Sequence, residues 1–114
     1  MIRFYGIPNC DTVKKARRWL EERGVGYEFH DYKKEGADPK MLRDWCSAVG
    51  WEALLNKRGT TFRKLPDADK EGIDEAKAVK LMSEHPSLIK RPVAIYANGL
   101  LVGFDTDQWE AALC

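Results

Sequence analysis

Cysteine is scarce in this chain, three among 114 residues, and the three stand far apart at Cys10, Cys46 and Cys114. An odd number at such wide spacings fits neither a secreted disulfide framework nor a zinc site. Histidine is scarcer still: His30 falls in an alternating strand pattern and His85 at the end of a helical one, so neither reads as a ligand and no metal is expected. Neither sign of charge is in excess, with 19 basic against 18 acidic residues and a net charge of +1, so no nucleic acid or anionic membrane is expected as a partner. No apolar run approaches a membrane span, and strand-like residues follow Met1 with no signal-peptide core between them, so a cytoplasmic protein is expected. Repeats and low-complexity stretches are missing too. A hydrophobic fraction of 44% and four tryptophans nevertheless describe a chain that folds, and its length predicts a single domain over 1–114, expected to be a monomer.

What is present reads as strands and helices in a definite order. Residues 2–5 predict a first strand, and a helix follows from about 12 to 23 with Val13, Ala16, Trp19 and Leu20 on one stripe and Gly24 as its stop. Residues 27–31 alternate as a second strand. From 33 to about 87 the pattern turns helical: Asp38 caps a helix with Pro39 at its first position, 51–55 gives a short one, and a third runs from about 74 to 84 until Pro86. Between the last two, 56–64 predicts a basic loop. Strand character returns at 93–97, Asn98-Gly99 predicts a hairpin turn, and 100–102 the returning strand. A last helix starts near 106, with Trp109, Ala112 and Leu113 inward and an Asp107/Glu110 spacing suited to a capping box.

The order is β-α-β, a helical insertion at about 36–88, then β-β-α. Two strands around one helix demand parallel pairing, and the hairpin adds an antiparallel pair. The expectation is an α/β thioredoxin-like fold: a mixed four-stranded sheet with a helical insertion between its second and third strands.

Cys10 stands at the joint between the first strand and the first helix, beyond the carboxyl end of a parallel strand, where sites form in open α/β sheets. Unpaired backbone N–H groups and the positive end of the helix dipole favour a thiolate there, with Lys14 and Lys15 adding to the effect and Asp11 opposing it. Cys10 is therefore expected to ionise more easily than a free cysteine. Cys46 shares a helical face with Leu42, Trp45 and Val49 and reads as a small buried hydrophobe. Cys114 ends the chain, either as an incidental frayed terminus or as a resolving thiol. Pro92 opens a strand expected beside the first one, its preceding bond open between trans and cis. Arg91 would arrive with that strand, and Arg58 with the basic loop; cations converging on Cys10 would receive an anion. Val13 fills the position three beyond Cys10, so the Cys-x-x-Cys pair of dithiol oxidoreductases is missing and a second thiol must come from elsewhere.

The stretches Tyr5-Gly6-Ile7-Pro8-Asn9-Cys10-Asp11-Thr12, Lys14-Lys15-Ala16, Gly50-Trp51-Glu52-Ala53-Leu54-Leu55-Asn56, Arg58-Gly59-Thr60-Thr61 and Ile89-Lys90-Arg91-Pro92 together resemble the arsenate reductase-like family, the group of ArsC, Spx and YffB proteins, and its YffB branch above the others. The resemblance runs over nearly the whole chain. It implies a thioredoxin core with a helical insertion, Cys10 as the redox thiol, Arg91 in an anion site and Pro92 after a cis bond. The chain departs from the arsenate reductases at Gly6, where they place histidine, and at Asn56 and Gly103 or Phe104, where they place arginines. Those departures weigh against arsenate as substrate, and Val13 in place of a second cysteine weighs against Spx-type redox sensing.

The expected function is a glutathione-dependent thiol reductase. Cys10 is catalytic; Asn9, Lys14, Arg58, Arg91 and Pro92 bind substrate; no cofactor is tightly held, and glutathione is the co-substrate. The expected partners are glutathione or a protein thiol or disulfide. The alternatives are arsenate reduction with glutaredoxin as partner and a non-catalytic regulator docking on RNA polymerase.

Overall fold

The computed structural model describes residues 2–113. They form two compact units, one of 2–34 with 91–113 and the other Glu35–Lys90. In the first unit β1 (Ile2–Gly6), β2 (Tyr27–Asp31), β3 (Val93–Tyr96) and β4 (Gly99–Val102) make one sheet in the order β2-β1-β3-β4. β1 pairs parallel with β2, Phe4 opposite Phe29, and antiparallel with β3, Phe4 opposite Ala94; β3 pairs antiparallel with β4. The chain is an α/β protein with the mixed sheet of a thioredoxin-like fold.

Alternation along β1 buries Ile2, Phe4 and Gly6 and leaves Arg3 exposed, the period-2 signature of a strand with one face on a core. Against that face lies α1 (Asp11–Glu22), whose Val13, Ala16, Trp19 and Leu20 recur at helical spacing and are all buried. Gly24 takes φ +66, while its N–H bonds Glu21 O and that of Val25 bonds Leu20 O. This is a Schellman stop, in which glycine occupies the left-handed position that a Cβ would disfavour. The same core takes Trp109 from α8 (Thr106–Leu113), which is fully buried, its ring against Phe4, Trp19 and Phe104 and its Nε1 donating to Gly103 O at 3.0 Å.

In the second unit α3 (Pro39–Val49) packs on α7 (Glu75–Glu84). Each helix starts on an aspartate cap, Asp38 accepting from Lys40 N and Asp74 from Lys77 N, both at 2.9 Å. The core of this unit is made by Leu42, Trp45, Leu54, Leu81, Met82 and Leu88, all buried. An isolated antiparallel bridge joins Leu55 to Ile89, flanked by Asn56 N to Leu88 O and Lys90 N to Leu54 O.

Four local features differ from the sequence reading. Residues 56–64 are not all loop, because Thr60–Arg63 close a helical turn, α5, after α4 (Trp51–Leu54). Single turns also form at α2 (Tyr32–Glu35) and α6 (Asp67–Lys70), too short to show a periodicity. The hairpin turns on Ala97 and Asn98, since Tyr96 pairs with Gly99; no described residue other than glycine has positive φ, so the turn lacks the two positive-φ centres of the type that Asn-Gly favours. Finally, α8 is capped by Asp105 and not by Asp107: the Asp105 carboxylate accepts from Asp107 N at 2.9 Å and Gln108 N at 3.2 Å. Asp105→Ala is expected to cost about 1 kcal/mol, read in thermal unfolding, with Asp105→Asn recovering most of it; an unchanged melting temperature would assign the cap no energetic role.

Candidate functional site

A strand that must end and a helix that must begin fix the position of Cys10. Pro8 and Asn9 form the exposed turn after β1, and Cys10 follows as the N-cap of α1 with extended backbone, φ −121° and ψ 127°. Its carbonyl accepts the Lys14 N–H at 2.9 Å, while its side chain makes no capping hydrogen bond. The sulfur is therefore not spent on the helix end. Cys10 is half-buried, packed at the edge of the α1 core, and is a free thiol. Lys14 is exposed on the first turn of α1, as Asn9 is in the loop; the acidic residue of that turn is Asp11.

Antiparallel pairing brings the start of β3 to the end of β1, with Val93 opposite Tyr5. Arg91 and Pro92 thus arrive at the thiol's end of the sheet, Arg91 half-buried and Pro92 buried. Their peptide bond is cis, and Pro92 O accepts the Gly103 N–H at 2.8 Å. Arg58 belongs to the second unit, where it is exposed and its N–H bonds Asn56 Oδ1 at 3.0 Å. There it lines a pocket of about 360 Å³ with Glu52, Leu55, Asn56, Lys57 and Lys90. Cys10, Asn9, Lys14, Arg91 and Pro92 thus share one end of one sheet, and Arg58 has its surroundings in the other unit.

Cys46 is buried on α3, and burial, followed by the Glu75 carboxylate, pushes its thiol up. That chemistry keeps it protonated and inert. Cys114 lies outside the described residues. Neither histidine joins a metal cluster, and among the described residues no group of three or more His, Cys, Asp or Glu is placed to hold an ion.

The side chains that sequence reasoning passed over are Tyr5, His30 and Tyr32. Tyr5 stands directly opposite His30 across β1 and β2, their rings stacked with centroids 4.6 Å apart, and Tyr32 stacks on Tyr5 at 6.1 Å. His30 Nε2 is 3.1 Å from Glu28 Oε1. Tyr32 is only 1% exposed. Burial, then Tyr5, pushes its phenol well above the ordinary 10.0, and the charge of Arg91 partly offsets them. The parallel register was the available signal, because Tyr5 opposite His30 follows directly once Phe4 is aligned with Phe29.

Gly6 has a local reason. A Cβ built on it would stand 2.9 Å from Val13 Cγ2, and Val13 is fully buried. Gly6→Ala is expected to cost about 1–3 kcal/mol through overpacking, and Val13→Ala in the same chain should recover part of that loss. Additive penalties in a double-mutant cycle of melting temperatures would show that the two positions do not compete for space.

Comparison with known proteins places these features in a wider set. The model of the ArsC family matches residues 5–112. A solved protein named YffB superposes with a TM-score of 0.97 at 54% identity, covering 100% of both chains. A solved arsenate reductase (ArsC) related protein from Brucella melitensis is 53% identical, with a TM-score of 0.77, over 96% of this chain and 92% of that one. The global transcriptional regulator Spx of Streptococcus pneumoniae is 30% identical over 99% of this chain and 86% of its own.

Proposed function

Because the chain belongs to the ArsC family, we propose that it is a thiol reductase in which Cys10 forms a mixed disulfide that glutathione resolves. One observation carries this reading: Cys10 is a free, partly exposed thiol at the start of a twelve-residue helix, its side chain unused as a cap, with buried Val13 where a dithiol enzyme would hold its second sulfur. The positive end of α1 favours negative charge on sulfur as the bond to the leaving thiol breaks.

In the first step the Cys10 thiolate attacks one sulfur of a disulfide RSSR′; the Cys10–SR bond forms, and the old S–S bond leaves with R′S⁻, which takes up a proton. A glutathione thiolate then attacks the R sulfur, releasing RSSG and the Cys10 thiolate. A second glutathione converts RSSG to RSH and oxidised glutathione, so two electrons pass from two glutathiones to one disulfide. Arg91 at the same end of the sheet, with Lys14 on the first helical turn, supplies positive charge for the carboxylates of glutathione.

Incubation with oxidised glutathione followed by intact-mass measurement tests the reading. One glutathionyl group on Cys10 and none on Cys46 is the expected product. No adduct, or an adduct elsewhere than Cys10, overturns it.

Two other readings are weaker. The Spx likeness favours a regulator that docks a partner; partner capture retained by Cys10→Ser, with no thiol turnover in the native protein, would select it. The likeness to an arsenate reductase related protein favours arsenate with glutaredoxin as partner, but the sequence resemblance implies that Gly6, Asn56 and Gly103 or Phe104 replace the histidine and arginines of the arsenate reductases. Arsenate-dependent NADPH consumption in a coupled assay should be absent.

A further inference from the structure

The second unit holds a pocket that the thiol chemistry leaves unused, built where one backbone bridge joins two distant segments. Leu55 and Ile89 are both buried, and their bridge is flanked by the Asn56 N–H donating to Leu88 O at 2.7 Å and the Lys90 N–H donating to Leu54 O at 2.8 Å. Lys90 is thereby fixed beside Leu55 and Asn56. Beyond the bridge the Asn56 side chain accepts the Arg58 N–H at 3.0 Å and turns the chain, and Gly59 follows so closely that a Cβ on it would stand 3.1 Å from Asn56 Nδ2. The space of about 360 Å³ that results is lined by Lys57, Arg58 and Lys90 and by one carboxylate, Glu52, together with Leu55 and Asn56. Among the described residues the side chains of Arg58, Lys90 and Glu52 have no ion pair or hydrogen bond, and the Lys57 ammonium lies 5.2 Å from the centre of the Trp51 ring.

Like charges gathered in one concavity repel, and Glu52 neutralises none of these at ion-pair distance, so an anion entering the pocket relieves the repulsion. The donors indicate its class. A guanidinium fork matches two oxygens of one phosphoryl or carboxylate group, and the two lysines add point charge beside it. Three cations against one carboxylate leave two positive charges over, which a doubly charged group balances and a single carboxylate does not. Lys57 and Arg58 are adjacent in the chain and the bridge brings Lys90 to them, so the charge is concentrated, as it is on a phosphoryl group, rather than spread along a carbon chain. We propose that this pocket binds a dianionic phosphoryl group, free or carried on a small molecule, with Arg58 as the principal donor and Lys57 and Lys90 as flanking charges. Its volume lies in the range of small-molecule sites. The inference gives Arg58 a ligand of its own and does not depend on the thiol-reductase reading.

The test titrates the full chain with glycerol phosphate, inorganic phosphate or succinate at fixed ionic strength and about pH 8, where the phosphoryl group is a dianion. Backbone amide resonances are followed throughout. Glycerol phosphate should shift the Lys57, Arg58 and Lys90 amides saturably, with a Kd on the order of 1 mM or tighter. Inorganic phosphate should shift the same amides: equal affinity identifies free phosphate as the ligand, and weaker binding identifies a phosphorylated small molecule. Arg58→Ala and Lys90→Ala should each weaken binding about tenfold, the loss of one charge-assisted contact. Both side chains are exposed, so the variants should keep the native spectrum elsewhere. Lys80→Ala, which removes an exposed charge of the same unit outside the pocket, should leave the Kd unchanged. Shifts that never saturate, an equal loss in Lys80→Ala, succinate bound as tightly as phosphate, or shifts at Cys10 and Lys14 in place of the pocket amides each overturn the proposal.

Discussion

Cys10→Ser is expected to abolish uptake of a glutathionyl group and to lower thiol turnover by about 10³-fold or more, because a serine hydroxyl at neutral pH is neither ionised nor able to form the S–S bond on which the cycle depends. The change is nearly isosteric. Cys10 makes no side-chain capping bond in the native protein, and serine is a good N-cap, so the helix should lose nothing and does not account for the lost chemistry. Circular dichroism and a melting temperature at or above that of the native protein would separate the two effects. Turnover retained at more than about a tenth of the native rate would move the reactive sulfur away from Cys10. Cys46→Ser is the companion control: its thiol is buried and pushed up in pKa, so glutathionylation should be unaltered by its removal.

Trp109→Ala carries the largest expected loss of stability. The indole is fully buried, with ring centroids 6.1 Å from Phe4, 6.1 Å from Trp19 and 5.1 Å from Phe104, all edge-on. Removing such a side chain costs about 3–5 kcal/mol through lost transfer free energy and the cavity left behind. Against a total stability of about 5–15 kcal/mol, that is a large share. A fall in melting temperature of roughly 10 °C or more should follow. Trp109→Phe should lose less: it keeps ring packing and gives up chiefly the bond from Nε1 to Gly103 O. A loss below about 1 kcal/mol for Trp109→Ala would mean that the cluster contributes shape rather than energy.

Much of this molecule could be read from the order of its residues, and the reasons are local. Val13, Ala16, Trp19 and Leu20 gave away α1 because one stripe of a helix must be covered, and Gly24 marked its end because only a residue without a Cβ takes the left-handed stop cheaply. Asp38 marked a helix start because its side chain can accept from the unpaired N–H groups of a first turn, as it does from Lys40 N. Asp105 was missed because Asp107, two positions on, satisfied the spacing rule equally well, and the choice between them depends on where Trp109 must point. The turn at Ala97-Asn98 was misplaced by one residue because its register is set by Val93 lying opposite Val102, a pairing made outside the turn itself. Of the candidate site, Cys10, Lys14 and Asn9 were legible from one contiguous joint, and Arg91-Pro92 from the strand that had to lie beside the first. Tyr32 was not, because its stack on Tyr5 depends on the parallel register of β1 and β2, which brings together residues far apart in the chain.

The strand order has one more consequence. β1 and β3 are the two inner strands, each laddered on both sides, whereas β2 and β4 each leave one edge unpaired. Solvent exchange in a sheet begins at its margins, so the amides of the inner pair open last. The thiol follows one inner strand and Arg91-Pro92 precedes the other, which anchors both halves of the reactive end to the slowest-breathing part of the sheet.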